Sequence, residues 1–109
     1  MLHTAPIDTV MHALADPTRR AVYERIAGSG EITVAELTRG SGVTQGAISQ
    51  HLRVLKDAGL VAGRAQGRNV HYSAQPQGLA PLADWMTHYG AFWRERFVDL
   101  RALLKEIDS

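Results

Sequence analysis

VAELTRGSGVTQGAISQHL, running from Val34 to Leu52, reads as two short helices joined by a tight turn. Val34 and Leu37, three apart, pack the first helix, and small Thr38 lies where the two helices cross. Gly42 supplies the turn, Val43 plugs beneath it, and Thr44 caps the second helix. The buried face of that helix is Ile48, Leu52 and Leu55, at the i, i+4, i+7 spacing of one helical stripe. With that stripe turned inward, Gln45, Gly46, Ser49, Gln50 and Arg53 face outward. This is the grammar of a helix-turn-helix, position by position.

The flanking chain completes a small domain. Thr33 and Glu36 have the spacing of a capping box, in which hydroxyl and carboxylate satisfy each other's backbone donors. Asp16-Pro17 marks another helix start, with Asp16 as N-cap and Pro17 at the first helical position, where no N–H is needed. The helix it opens carries Ala21, Val22, Tyr23 and Ile26 and stops at Gly28-Ser29-Gly30. Ile7, Val10, Met11 and Leu14 recur at helical spacing and predict a first helix up to Leu14 or Ala15. Residues 1–6 carry no pattern and read as a loose end. Beyond the helix-turn-helix, Gly59 closes its second helix, and Leu60 to Ala65 and Val70 to Ala74 read as two short strands. Gln66-Gly67-Arg68-Asn69 joins them as a hairpin tip. His3 and His71 are expected to face solvent.

One long helix is predicted from Leu79 to Ile107. Leu79, Leu82, Met86, Tyr89, Trp93, Phe97, Leu100, Leu104 and Ile107 keep three-to-four spacing throughout. At 1.5 Å per residue it reaches roughly 40 Å, more than a small domain can cover. Trp85 and Phe92 fall off the stripe, so the middle of the helix is apolar on two faces, and such a helix is normally buried on both. One face can meet the chain's own core; the other needs a partner, most simply the same helix of a second copy. Pro81 falls in the first turn, Asp84 is read there too, and Gly90 permits close helix–helix approach.

The chain has 109 residues, which is one domain, 1–109, divided into helix-turn-helix (34–59), wing (60–75) and C-terminal helix (79–107). The fold class is mainly α with a small β-hairpin wing. Zero cysteines exclude disulfides, thiolate metal sites and iron–sulfur clusters. No apolar run approaches the ~18 residues of a membrane span, so no membrane partner is expected, and without a signal-peptide pattern the expected location is the cytoplasm. The net charge is only +1, yet its distribution is uneven. Pro17 to Gln75 holds eight basic residues against four acidic ones, whereas the flanks hold four basic and seven acidic. A basic middle between acidic ends is a local electrostatic footprint.

Helix-turn-helix grammar, basic charge and a following hairpin together point to double-stranded DNA. Short and amide side chains near the N-terminus of the second helix suit base edges in the major groove: Gly46 allows close approach, and Gln45 and Gln50 can pair with adenine. Arg53 can reach guanine or a phosphate. Thr44, Ser49 and His51 suit phosphate oxygens, helped by the helix dipole. Arg68 at the hairpin tip, with Arg64 on the strand before it, is placed to touch backbone or minor groove.

LADPTRRAVYERI, VAELTRGSGVTQGAISQHLRVLKDAGLV and GRAQGRNVHYSA resemble the arsenic-repressor (ArsR/SmtB-type) winged helix-turn-helix regulators of bacteria, from Leu14 to about Ala74 and, in layout, through the last helix. The resemblance implies a homodimer joined through the first and last helices that represses transcription from an operator and is released by an effector, here unknown. The dimer surface it implies takes in Val10, Met11 and Leu14 with Trp85, Tyr89, Phe92, Trp93, Arg96 and Leu100. Two departures stand out. Members that sense arsenite or cadmium carry a cysteine pair in the first helix of the motif, where this chain has Glu36-Leu37-Thr38-Arg39. Members that sense zinc through the last helix carry a fuller ligand set than Asp84 and His88, with Glu95 and Asp99 further on. No metal site and no cofactor are therefore expected.

Two alternatives stay open on the residues alone. A winged helix can bind another protein instead of DNA, and salt-dependent binding of duplex DNA separates the two. Asp84 with His88, and His12 with Asp16, can converge across a dimer into a metal-responsive site. The aromatic helix can also line a pocket for an apolar effector, although such stripes more often form core. No phosphate loop, catalytic triad or paired carboxylates support an enzyme.

Overall fold

A computed structural model describes residues 6–108 of the chain. The expectations for residues 1–5, including His3, lie outside the described residues. In order come α1 (Pro6–Ala15), α2 (Pro17–Ser29), β1 (Ile32–Thr33), α3 (Val34–Thr38), α4 (Gln45–Asp57), β2 (Val61–Gln66), β3 (Asn69–Ala74), one turn of 3₁₀ helix (Pro76–Leu79) and α5 (Ala80–Asp108). The winged helix-turn-helix expected from the sequence is the architecture found.

The helix starts follow their side chains. Asp16 accepts the Arg19 backbone N–H at 2.9 Å. At Thr33 both halves of the capping box are made: its hydroxyl accepts from the Glu36 N–H at 3.2 Å, and the Glu36 carboxylate accepts from the Thr33 N–H at 3.1 Å. Thr44 accepts from the Ala47 N–H at 3.1 Å. The far end of α1 is closed from outside, by arginines of α2: Arg19 donates to the carbonyls of Ala13 and His12, and Arg20 to that of Leu14. These bonds satisfy carbonyls that have no partner within their own helix.

Four departures from the sequence reading concern local geometry. The sheet has three strands in the order β1-β3-β2, because Ile32 and Thr33 pair with Tyr72 and His71 before α3 begins. The hairpin tip is two residues, Gly67-Arg68, since Gln66 and Asn69 already pair; Gly67 takes the positive φ of 62° that a first turn position of this length demands. Leu79 belongs to the 3₁₀ turn, so α5 starts at Ala80 and Asp84 falls beyond its first turn. Next to β1, His71 is half-buried instead of fully exposed.

The core gathers Val10, Val22, Ile26, Ile32, Leu37, Ile48, Leu52, Leu55, Leu60 and Val61 from α1, α2, β1, α3, α4, β2 and the link between the last two. Of the residues expected at a dimer surface, Val10 is 2% exposed and packs inside its own chain, while Met11 beside it is 41% exposed and Leu14 half-buried. The 3₁₀ turn sits tightly on the end of α4. A Cβ on Gly78 would lie 2.1 Å from the carbonyl oxygen of Gly59, so the two backbones touch where only glycine fits.

Leu79 and Leu82 are the last residues to pack on the core. Trp85, Tyr89, Phe92, Trp93, Phe97 and Leu100 are all exposed beyond it, on a helix of 29 residues. The radius of gyration, 17.5 Å, exceeds the roughly 13 Å of a compact chain this size because α5 projects from the body.

Candidate nucleic-acid interface

α4 is positioned by its buried stripe. Ile48, Leu52 and Leu55 are sunk in the core, which turns Thr44, Gln45, Gly46, Ser49, Gln50 and Arg53 to solvent along one side. Thr44 spends its hydroxyl as the cap acceptor, with its O–H still free to donate. His51 departs from this row. It is half-buried, and its charge reaches Asp16 at the start of α2. The Asp16 carboxyl is held below its usual range, chiefly by the Arg19 backbone N–H, then by the Arg19 charge and that of His51.

A groove of about 350 Å³ runs between α4 and the sheet, lined by Ser49, Gln50, Leu52, Arg53, Lys56 and Tyr72. Lys56 and Tyr72 escaped the sequence reading for different reasons. Lys56 stands seven residues after Ser49 and three after Arg53, so helical spacing alone would have found it. Tyr72 arrives only through strand register, opposite Ile32 and Gly63, and no local signal announces that.

The basic middle of the chain divides into two sets. Arg19, Arg20 and Arg25 donate to backbone carbonyls, Arg25 to Leu37 at 3.0 Å. Arg64 is engaged by Glu31 through a two-pronged ion pair with a closest approach of 2.8 Å. The bond from Arg64, then its charge, lowers the Glu31 carboxyl, with a further contribution from His71, and Glu31 raises Arg64 in turn. Among the described residues, the side chains of Arg39, Arg53, Lys56 and Arg68 make no hydrogen bond or ion pair and remain available to an anion. Arg53 and Lys56 line the groove, and Arg68 is at the wing tip.

A different surface flanks this one. Trp85, Met86, Tyr89, Gly90, Trp93 and Phe97 border an apolar hollow of about 560 Å³ on α5. Phe92 and Trp93 meet edge to face at 4.8 Å, and the Arg96 guanidinium stands 4.6 Å from the Phe92 ring centre. The sequence-predicted dimer residues of α5 are thus gathered on an exposed aromatic surface. Asp84 and His88 lie on the same helix one turn apart, yet among the described residues no three His, Asp or Glu side chains cluster as metal ligands. No helix of the described residues is long and apolar enough to cross a membrane.

Comparison with known proteins agrees with this geometry. A helix-turn-helix domain model matches residues 14–64. The HTH-type transcriptional regulator Rv2034 of Mycobacterium tuberculosis is 46% identical over 86 residues, which span 79% of this chain and 77% of that protein. The transcriptional repressor SdpR of Bacillus subtilis is 28% identical over 83 residues, 76% of this chain and 91% of that one. Among solved structures, an ArsR-like transcriptional regulator from Rhodococcus sp. RHA1 superposes with a TM-score of 0.71 at 26% identity, over 90% of this chain and 92% of that one.

Proposed function

The chain belongs to the ArsR-type winged helix-turn-helix transcriptional regulators, a DNA-binding family, and on that premise we propose that it represses transcription as a homodimer seated on an inverted-repeat operator. The observation that carries this reading is the α4 face. Gln45, Gly46, Ser49 and Gln50 are exposed together at the N-terminal end of a helix whose other side is locked into the core. That end is the one that enters a major groove. Arg53, Lys56 and Arg68 flank it with charges not used internally, which suits phosphates on either side of the groove.

The exposed aromatic surface of α5 supports the dimer. Eight large apolar side chains from Trp85 to Leu100 stand in solvent in one protomer, far more than a monomer normally leaves bare. Exposed Met11 on α1 is proposed to join that surface in the dimer; Trp85, Tyr89, Phe92, Trp93, Arg96 and Leu100 supply most of it. A two-fold dimer presents two α4 helices and so matches an inverted repeat. The cytoplasm, where the genome is, is the proposed location.

The ligand sets of the family's metal sensors do not fit this chain. It has no thiolate, and Asp84 with His88 supplies two ligands where a closed zinc site takes four. The effector is proposed to be an organic molecule, a protein or the repressor's own abundance. Selection of genomic fragments by the purified protein tests the whole reading. Enrichment of one promoter bearing an inverted repeat is the expected result, and enrichment of no sequence over random duplex would refute it.

A further inference from the structure

Glu31 stands immediately before β1, and its carboxylate accepts two bonds from Arg64: Nη2 to Oε1 at 2.8 Å and Nε to Oε2 at 3.2 Å. The pair crosses the whole sheet. Ile32 is opposite Tyr72, and Tyr72 is opposite Gly63, so Glu31 lies level with Ser73 and Ala62. That is two residues further from the hairpin tip than Arg64, or about 7 Å along the strands. The carboxylate therefore draws the guanidinium back toward the base of the wing, away from Arg68. His71 pairs with both Thr33 and Arg64 and lies between the partners on the central strand. Glu36, the acid beyond Thr33, is occupied by the Thr33 N–H and hydroxyl.

The pair is also easy to exchange. Its side chains are 54% and 43% exposed, and an ion pair so open to water and salt is weak. A DNA phosphate offers the same two-oxygen geometry to a guanidinium as a carboxylate does. Glu31 meanwhile keeps a negative charge on the wing that any approaching backbone must meet.

Building on the DNA-binding reading above, we propose that Glu31 is a built-in competitor for the wing's phosphate contact, holding Arg64 against the sheet in the complex as well as before it and so limiting the strength of the wing's grip. Arg64 is a reserve contact under this arrangement, and Arg68 the standing one.

The test is fluorescence anisotropy of the full chain on a labelled random-sequence duplex, titrated across a range of KCl concentrations, because a phosphate contact is independent of sequence. Glu31→Gln should steepen the slope of log affinity against log salt by about one per wing. It should also tighten binding at low salt, up to about fivefold, the equivalent of releasing one exposed ion pair. Glu31→Ala, which leaves no amide to hold Arg64, should do the same. Arg64→Ala should cost more in the Glu31→Gln background than in the wild type. Unchanged slope in both Glu31 variants, or weaker binding, would make the pair a simple brace of the sheet and overturn the proposal alone. Absence of duplex binding by the wild type would instead remove the DNA-binding reading, and this inference with it.

Discussion

The Arg25 guanidinium donates to the Leu37 carbonyl at 3.0 Å, tying the middle of α2 to the end of α3. A residue that looks in the sequence like part of a DNA-attracting block is a strut between two helices. Fewer cations in this segment are free of internal partners than the formal charge suggests: of the eight basic residues between Pro17 and Gln75, three bind carbonyls and one binds Glu31.

Arg25→Ala is expected to lower stability by about 1 kcal/mol, the worth of one charge-assisted bond at a partly exposed site. Urea denaturation reads the loss as a lower midpoint at constant slope. A salt slope of DNA binding equal to that of the wild type should accompany it, and a flattened one would show that Arg25 touches phosphate after all.

Gln45 and Gln50 are expected to set sequence preference. Replacing either by Ala should cost about 1–3 kcal/mol on the selected operator and much less on random duplex. Arg68→Ala should instead weaken both alike and flatten the salt slope by about one. Competition anisotropy with the two duplexes separates the classes; equal losses from Gln45→Ala would reassign that residue to the backbone.

Acid should unfold the protein through its caps. Asp16 is held below its ordinary range first by the Arg19 backbone N–H, Glu31 first by the Arg64 side chain, and Glu36 first by the Thr33 backbone N–H. A carboxyl lowered in the folded state stabilises it fully above the unfolded value, near 4, and that contribution disappears as pH falls through the folded value. The melting temperature should be flat from pH 7 to about 5 and fall below it. In Glu36→Gln the fall should be shallower, which thermal melts at pH 7, 5, 4 and 3 will show.

Trp93→Glu should dissociate the dimer. The ring is 45% exposed in one protomer and borders the apolar hollow of α5, so a carboxylate there is tolerated by the monomer and refused by a partner. Sedimentation velocity should give a dimer for the wild type at micromolar concentration and a slower species for the variant. A wild type that sediments as a folded monomer would leave the bare aromatic face without an occupant.

Legibility followed distance along the chain. Asp16, Thr33, Glu36 and Thr44 act on residues three positions away, and each cap stands where local spacing puts it. The α4 stripe was equally readable, since Ile48, Leu52 and Leu55 report on one helix. Contacts that need the whole sheet were not: β1 exists only because β3 arrives to pair with it, and Glu31 finds Arg64 from 33 residues away. Val10 shows a third limit. Periodicity marked α1 as having an apolar face, but not that the chain's own core would consume Val10 and leave Met11 outside.

The backbone contact of Gly78 with Gly59 makes the 3₁₀ turn that leads into α5 a fulcrum pressed on the tail of α4. From there α5 extends about 43 Å as a single rod. A swivel of about 5° at the fulcrum sweeps the far end of such a rod by roughly 4 Å while barely moving the near end. Whatever grips the distal half of α5 thus works with long leverage, and the place where that torque is delivered is the tail of α4.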